Sequence, residues 1–247
     1  MSGRLVGKVA IVTGGSRGQG ASHARAMVRE GAKVALTDVR VEQGEELAAE
    51  LGEAAMFIQH DVSKAEDWDR VIAATETAFG PISVLVNNAA IVFLKEIEEM
   101  TLEEYELVTA INQTSVFLGM KAVLASMRRA SGGSIINISS IAANKGIRGN
   151  LAYTAAKAAM IGMGKVAALE FADDNIRVNA ILPGMIRTPM VDDTAPERVA
   201  EFVKGIPVNR LGAMQEVSNL VIFLASDEAS YSTGAEFVVD GGLLASR

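Results

Sequence analysis

The chain has no cysteine, so disulfides, thiolate metal sites and a cysteine nucleophile drop out together, and a reducing compartment, by default the cytoplasm, is expected. Histidine is almost as scarce. His23 reads as a helix residue and His60 as a strand-end residue; they stand far apart, form no metal-ligand pattern, and leave no metal site to expect. Basic blocks are missing too: 23 Lys and Arg face 30 Asp and Glu, a formal charge of -7, with nothing that could track a phosphate backbone. Nucleic acid is therefore not an expected partner. No apolar run approaches the roughly 18 residues of a membrane span. Residues 1–7 lead straight into the apolar stretch 9–12, without the charged lead and cleavage site of a secretory signal. A soluble protein with no membrane partner is expected.

What is present is a chain of 247 residues, 49% hydrophobic and 21% charged, long enough for one sizeable core. No repeat, low-complexity tract or linker divides it, so a single domain over 1–247 is expected. Short Val- and Ile-rich runs at 8–13, 33–37, 54–59, 83–87, 133–138, 177–182 and 236–239 read as strands. Between them, helical periodicity covers 18–30, 41–51, 65–79, 102–129, 151–172 and 215–224. This alternation predicts an α/β fold, a doubly wound parallel sheet of seven strands with helices on both faces, whose turns gather along one sheet edge where ligands bind. The segment 183–212, with Pro183, Pro189, Pro196 and Pro207, lacks clear periodicity and reads as a lid or binding loop.

The first strand runs into Thr13-Gly14-Gly15-Ser16-Arg17-Gly18-Gln19-Gly20 and then a helix. Glycines here serve a tight turn, close approach of backbone to a pyrophosphate, and close helix-on-strand packing; the helix start supplies unpaired N–H groups. Asp38 closes the second strand, roughly 20 residues beyond the glycines, where a carboxylate accepts from the adenosine ribose hydroxyls and repels a 2′-phosphate. NAD(H) is thus favoured as cofactor over NADP(H), although Arg17 and Arg40 could supply contacts to such a phosphate. Asp61 and Val62 follow the third strand and Asn87-Asn88-Ala89-Ala90 the fourth, all at the edge expected for the cofactor, and the small residues allow close approach.

Tyr153 and Lys157, four apart in a strong helical pattern, share one helix face. A phenol with a reference pKa near 10 is a poor base at neutral pH, and a fixed ammonium with an oxidised nicotinamide would lower it. Ser140, at the end of the fifth strand, can donate to a carbonyl oxygen from a second direction. Asn112 stands inside the helical stretch 102–129, where Asn competes for backbone hydrogen bonds, so a water held by a distorted helix could link it to Lys157. Gly162 and Gly164, in the helix of Tyr153, each cost about 1 kcal/mol relative to Ala. A partner subunit or a close intrachain contact would explain them.

With these residues in hand, the chain resembles the short-chain dehydrogenase/reductase family over essentially its whole length. The resemblance rests on the glycine motif from Thr13 to Gly20, on Asn87 to Ala90, on Asn112, Ser140, Tyr153 with Lys157, and on Pro183-Gly184. Ala90 stands where the family usually has glycine. The resemblance implies a Rossmann-like fold, a Ser-Tyr-Lys-Asn tetrad and commonly a homotetramer. It also implies that Lys157 holds the nicotinamide ribose and that Ile186, by its backbone, and Thr188 hold the carboxamide. Within the family the chain is similar to bacterial NAD-linked hydroxysteroid and secondary-alcohol dehydrogenases.

The expected reaction is reversible oxidation of a hydrophobic secondary alcohol to a ketone. Cofactor contacts are expected at Gly14, Ser16, Arg17, Gly18, Gln19, Gly20, Asp38, Asp61, Val62, Asn88, Ala89, Ala90, Tyr153, Lys157, Pro183, Gly184, Ile186 and Thr188. The substrate pocket is expected to draw on 91–94, 142–150, Met185 and 190–206, a mainly apolar set. Two alternatives stay open: an NADPH-dependent 3-oxoacyl-thioester reductase, against which Asp38 argues, and a non-catalytic nicotinamide-sensing module, against which the complete tetrad argues.

Overall fold

A computed structural model describes residues 3–192 and 196–246. Strands and helices alternate through β1 (Val9–Thr13), α1 (Gly18–Arg29), β2 (Lys33–Asp38), α2 (Val41–Leu51), β3 (Ala55–Gln59), α3 (Ala65–Phe79) and β4 (Val84–Asn87). Next come α4 (Leu102–Thr109), a π-helical turn (Ala110–Thr114), α5 (Ser115–Arg129), β5 (Gly133–Ile138), α6 (Leu151–Glu170) and β6 (Ile176–Pro183). The remainder holds β7 (Ile186–Arg187), α7 (Pro189–Asp192), α8 (Pro196–Lys204), β8 (Gly212–Ala213), α9 (Met214–Ala225) and β9 (Glu236–Val239).

Seven strands form one parallel sheet in the order β3-β2-β1-β4-β5-β6-β9, with β7 and β8 as a separate two-stranded ladder. The Rossmann-like, doubly wound fold is the one expected. Val9 pairs with Lys33 on one side of β1, while Ala10 pairs with Val84 on the other. The chain therefore winds outward in both directions from β1 and β4, and the crevice at that reversal is where such sheets bind ligands.

The central strands feed two cores, because successive side chains point to opposite faces. Ala10, Val12, Val34 and Leu36 pack with Met27 and with Val217 and Val221 of α9. Val9, Ile11 and Ala35 face the other way, toward Trp68, Val71, Val116, Val123 and Met160. Burying each such aliphatic side chain contributes about 1.5–3 kcal/mol before entropy is counted, which explains why the central strands are rich in Val, Ile and Leu.

Two expectations need correction. The helical run Leu102–Arg129 is long and apolar enough by length and composition to cross a membrane. Yet Val108, Val116, Met120, Val123 and Met127 are buried along it, and Glu103, Glu104, Arg128 and Arg129 mark its ends, so it is a helix of the core. A capping box starts it: Thr101 Oγ1 accepts from the Glu104 N–H and the Glu104 carboxylate accepts from the Thr101 N–H. The segment 183–212 is not irregular throughout, since it contains β7, α7, α8 and the start of β8. Prolines obscured this, because a proline at the first turn of a helix is tolerated where one in the interior is not. Of the expected substrate segment, 193–195 lies outside the described residues.

Candidate active site

The glycine loop is folded by contacts from both flanks. Thr13 Oγ1, at the end of β1, accepts the backbone N–H of Asn88 at 3.0 Å and of Ala89 at 3.1 Å. Asn88 returns the contact, its Nδ2 donating to the carbonyls of Thr13 at 2.9 Å and Gly14 at 3.2 Å. Asn88 thus braces the loop after β1 from the end of β4. A side chain at Gly20 would begin 2.1 Å from the Gly14 carbonyl oxygen, so that glycine is required by packing of helix against loop. Gly18 differs. Its φ is 56°, and the nearest atom to a notional Cβ is Pro189 Cδ at 4.0 Å. The space is open at the one glycine whose backbone should approach a phosphate.

Asp38 ends β2 with its side chain buried, and its carboxylate is held from two sides. Ser16 donates to Oδ2 through its hydroxyl at 2.6 Å and its N–H at 3.3 Å; the Arg40 N–H donates to Oδ1 at 3.1 Å. The Arg40 guanidinium stands 3.5 Å from the same Oδ1. Asp61, beyond β3, accepts the hydroxyl of Ser63 at 2.6 Å and its N–H at 3.1 Å, which with Lys64 nearby holds its carboxyl below the usual carboxylate range. Val62 is buried, and its carbonyl accepts the indole N–H of Trp68 at 3.0 Å. His60 donates or accepts at Nδ1 with Thr37 and lies edge-on to Trp68; burial pushes its pKa down to about 4. His23 is buried against Ser218 with its pKa pushed down to about 3, so both imidazoles are neutral at ordinary pH.

At the ends of β4, β5 and β6 lies a cleft of about 100 Å³. It gathers Gln19, Asn88 and Ala90 from the cofactor set, Ser140, Tyr153 and Lys157 from the tetrad, and Pro183 with Gly184 from the end of β6. Ile186 is buried on β7 and Thr188 is half-buried before α7, where its carbonyl accepts the Val191 N–H at 2.8 Å; both stand just beyond the cleft wall. Asp38, Asp61 and Val62 follow the same sheet edge outward along β2 and β3.

Lys157 is 2% exposed, and its Nζ donates to the Ile138 carbonyl at 2.7 Å while standing 5.4 Å from the centre of the Tyr153 ring. Ser139 Oγ donates to the Lys157 carbonyl at 2.8 Å, tying α6 to β5. Burial pushes the Lys157 pKa down to about 7. Burial also pushes Tyr153 up, opposed by its hydrogen bond with Ser140. This departs from the expected lowering. The expectation counted a full ammonium and a bound pyridinium, whereas the protein by itself offers a partly neutral amine and a desolvating site that disfavours phenolate.

Asn112 stands in the π-helical turn, so the helix is distorted at the expected position. Its side chain meets Ile91 at both ends: Oδ1 accepts the N–H at 2.9 Å and Nδ2 donates to the carbonyl at 2.7 Å. The side chain therefore fastens the loop that follows β4 to the distorted turn. Sequence reasoning missed Thr13 as the acceptor that joins loop to loop and the Ile138 carbonyl as the seat of Lys157. A backbone oxygen carries no signal in a sequence. Gly164 is explained within the chain, since a Cβ there would lie 3.3 Å from Asn137 Nδ2, whereas Gly162 faces open space.

The residues present fit a nicotinamide dinucleotide. The opening at Gly18 leads to Gln19, whose buried Oε1 has no partner, and the Lys157 ammonium has donors beyond the one given to Ile138. Sequence comparison agrees. A family model described as enoyl-(acyl carrier protein) reductase matches residues 14–244. The chain is 51% identical to a 3-alpha-(or 20-beta)-hydroxysteroid dehydrogenase of Mycobacterium tuberculosis, covering 99% of this chain and 92% of that one. The chain belongs to the short-chain dehydrogenase/reductase family. This short-chain dehydrogenase/reductase is also 42% identical to an NADP-dependent (R)-specific alcohol dehydrogenase of Lentilactobacillus kefiri, over 99% of this chain and 100% of that one. A 3-beta-hydroxysteroid dehydrogenase of Comamonas testosteroni is likewise 42% identical, over 99% and 98%. It is accordingly an oxidoreductase that uses a nicotinamide cofactor, NAD or NADP.

Proposed function

We propose that the chain is an NAD(H)-dependent dehydrogenase that oxidises hydrophobic secondary alcohols to ketones and runs in reverse. The observation that carries this reading is the meeting of Ser140, Tyr153 and Lys157 in the cleft that continues into the glycine loop. The names of its relatives support the substrate class, being hydroxysteroid and alcohol dehydrogenases. The choice of NAD(H) is supported by Asp38, whose buried carboxylate stands where a 2′-phosphate would meet a negative charge. A relative that uses NADP makes this the point most in need of measurement.

A bound oxidised nicotinamide would supply the hydride acceptor and a positive charge that favours phenolate. Tyr153 Oη removes the alcohol's proton, favoured as phenolate by that charge and by whatever fraction of Lys157 is protonated. Ser140 Oγ donates to the substrate oxygen and holds it for Tyr153. Lys157 binds the nicotinamide ribose hydroxyls from its seat on Ile138. Asn112 keeps the widened turn and the residue Ile91 in register, leaving main-chain groups of that turn to hold a relay water. Gly14, Ser16, Arg17, Gly18, Gln19, Gly20, Asp38, Asp61, Val62, Asn88, Ala89, Ala90, Pro183, Gly184, Ile186 and Thr188 form the cofactor's bed.

We also assign the chain to a homotetramer. Leu151, Val166 and Leu169 on α6 and Phe117 on α5 are exposed large apolar side chains, and Gly162 opens on the same side of α6 as Val166. Light scattering of the eluted protein tests it, with a single-chain mass as the contrary result.

The activity is tested by following NADH and NADPH oxidation with cyclic, aryl and steroid ketones. Turnover with at least one, and a kcat/KM for NADH above that for NADPH by roughly tenfold or more, about 1.4 kcal/mol, is expected. Equal use of both coenzymes would remove the role given to Asp38, and turnover of enoyl thioesters alone would replace the alcohol reading.

A further inference from the structure

Asp240 lies outside the cleft, directly after β9, and the chain reverses there through Gly241 and Gly242 with φ of 64° and 90°. Its carboxylate holds that reversal: Oδ1 accepts the Gly242 N–H at 2.8 Å and Oδ2 accepts the Leu244 N–H at 2.7 Å. On one side the residue presses on the cleft wall. The Gly184 N–H donates to the Val239 carbonyl at 2.9 Å, and a side chain at Gly184 would begin 2.7 Å from Asp240 Cα. On the other side the turn carries the segment that leaves α8. A Cβ at Gly241 would lie 2.7 Å from Val208 and 2.8 Å from Ile206, one at Gly242 would lie 3.1 Å from Pro207, and the Val208 N–H donates to the Gly241 carbonyl at 3.3 Å.

One carboxylate thus fastens together the wall at Gly184 and the segment 206–208 that follows α8. We propose that Asp240 is a positioning residue for the alcohol or ketone: by folding the C-terminal turn it sets how far the end of α8 stands from Gly184, and so shapes the substrate side of the cleft without touching substrate. The inference rests on the alcohol dehydrogenase reading above. Its chemistry is charge-assisted hydrogen bonding to two backbone N–H groups, which a carboxylate satisfies and a carboxamide does not, since one of its two ends is a donor. Of the cofactor's bed, Gly184 borders this turn, while the glycine loop between β1 and α1 and Asp38 on β2 lie toward the other end of the sheet order.

The test uses the full-length enzyme and the ketone that the unmodified chain reduces best among cyclic, aryl and steroid ketones. If no ketone is reduced, the activity reading fails and Asp240 is not implicated. Asp240→Asn is expected to raise the KM for that ketone about tenfold, the equivalent of about 1.4 kcal/mol. The dissociation constant for NADH, read by nucleotide fluorescence, and kcat are expected to stay within about twofold, a difference of under 0.5 kcal/mol. A second variant ending at Leu243, which removes the Leu244 donor and keeps the carboxylate, is expected to give the same split, and Asp240→Glu to recover part of the loss. An unchanged ketone KM in both variants overturns the proposal. So does a rise in ketone KM and NADH dissociation constant by one common factor, or failure of both variants to fold, because each makes the turn a general structural element and not a substrate-positioning one.

Discussion

The two edges of the parallel sheet each hold a hollow, and the larger one lies away from the proposed chemistry. At the amino ends of the strands a depression of about 420 Å³ is lined by Lys8, Arg177 and Asp227, against about 100 Å³ at the carboxyl ends. What separates them is whether the buried polar groups are already used. Arg177 donates to the carbonyls of Leu224 at 2.7 Å and of Ser226 and Ser232 at 3.2 Å, and Lys8 pairs with Asp227 at 2.7 Å. At the carboxyl edge Gln19 Oε1 has no partner and Lys157 is buried at a cost that lowers its pKa. Size alone does not separate the two hollows; unspent polarity inside the hollow does.

The largest effect that can break this comparison is expected at Lys157. Lys157→Met should lower turnover about 10²–10⁴-fold. The same change should stabilise the cofactor-free protein near and below pH 7, by an amount on the order of 1–3 kcal/mol, since a buried amine with a depressed pKa opposes folding most where the unfolded chain is protonated. The sign follows from linkage. Between about pH 7, the folded value, and the unfolded value near 10.4, the unfolded state binds more protons, so the unmodified protein gains stability as pH rises through that window. The advantage of the methionine variant must shrink over the same range. Thermal unfolding at two pH values checks it, and a variant less stable at pH 6 would contradict the reading of Lys157 as functionally retained.

A smaller effect is expected at the amino edge. Arg177→Met removes one donor from each of three carbonyls, of which that of Leu224 keeps Ser134 Oγ at 2.8 Å and that of Ser232 keeps Asn179 Nδ2 at 2.7 Å, and should cost about 1–2 kcal/mol in chemical denaturation. Its kcat at a temperature where the variant is folded should stay within about twofold of the unmodified chain, under 0.5 kcal/mol; a large kcat loss would mean that the two edges are coupled. The smallest effect is expected at Arg148, which pairs with Glu96 at 2.7 Å on the exposed loops near the cleft. Arg148→Ala should change stability by less than about 1 kcal/mol, because a solvated ion pair gains little.

Much of this arrangement is legible in the sequence, because it follows element periods. The strand runs at 33–37, 133–138 and 236–239 lie within one residue of β2, β5 and β9, since short apolar runs between turns mark strands and an interior strand such as β5 is buried on both faces. The glycine loop, Asp38 and Tyr153 with Lys157 are legible for the same reason, each set being spaced by one turn or one βα unit. The π-helical turn at Asn112 was foreshadowed by a polar residue in mid-helix, but the commitment of its side chain to Ile91 was not. Thr13 and Asn88 clasp each other across neighbouring strands that are remote in sequence, and periodicity within one segment carries no information about such a pair. The desolvation that raises Tyr153 in the protein alone was not legible for a related reason: how far a ring is enclosed depends on the whole fold.

The claim on which the rest depends is that the Tyr153 hydroxyl moves the proton. The direct measurement is turnover of Tyr153→Phe beside its NADH dissociation constant. The account predicts a fall in kcat of about 10²–10⁴-fold with NADH binding within about twofold of the unmodified chain, under 0.5 kcal/mol. Turnover within about tenfold, some 1.4 kcal/mol of barrier, with NADH bound normally would contradict it.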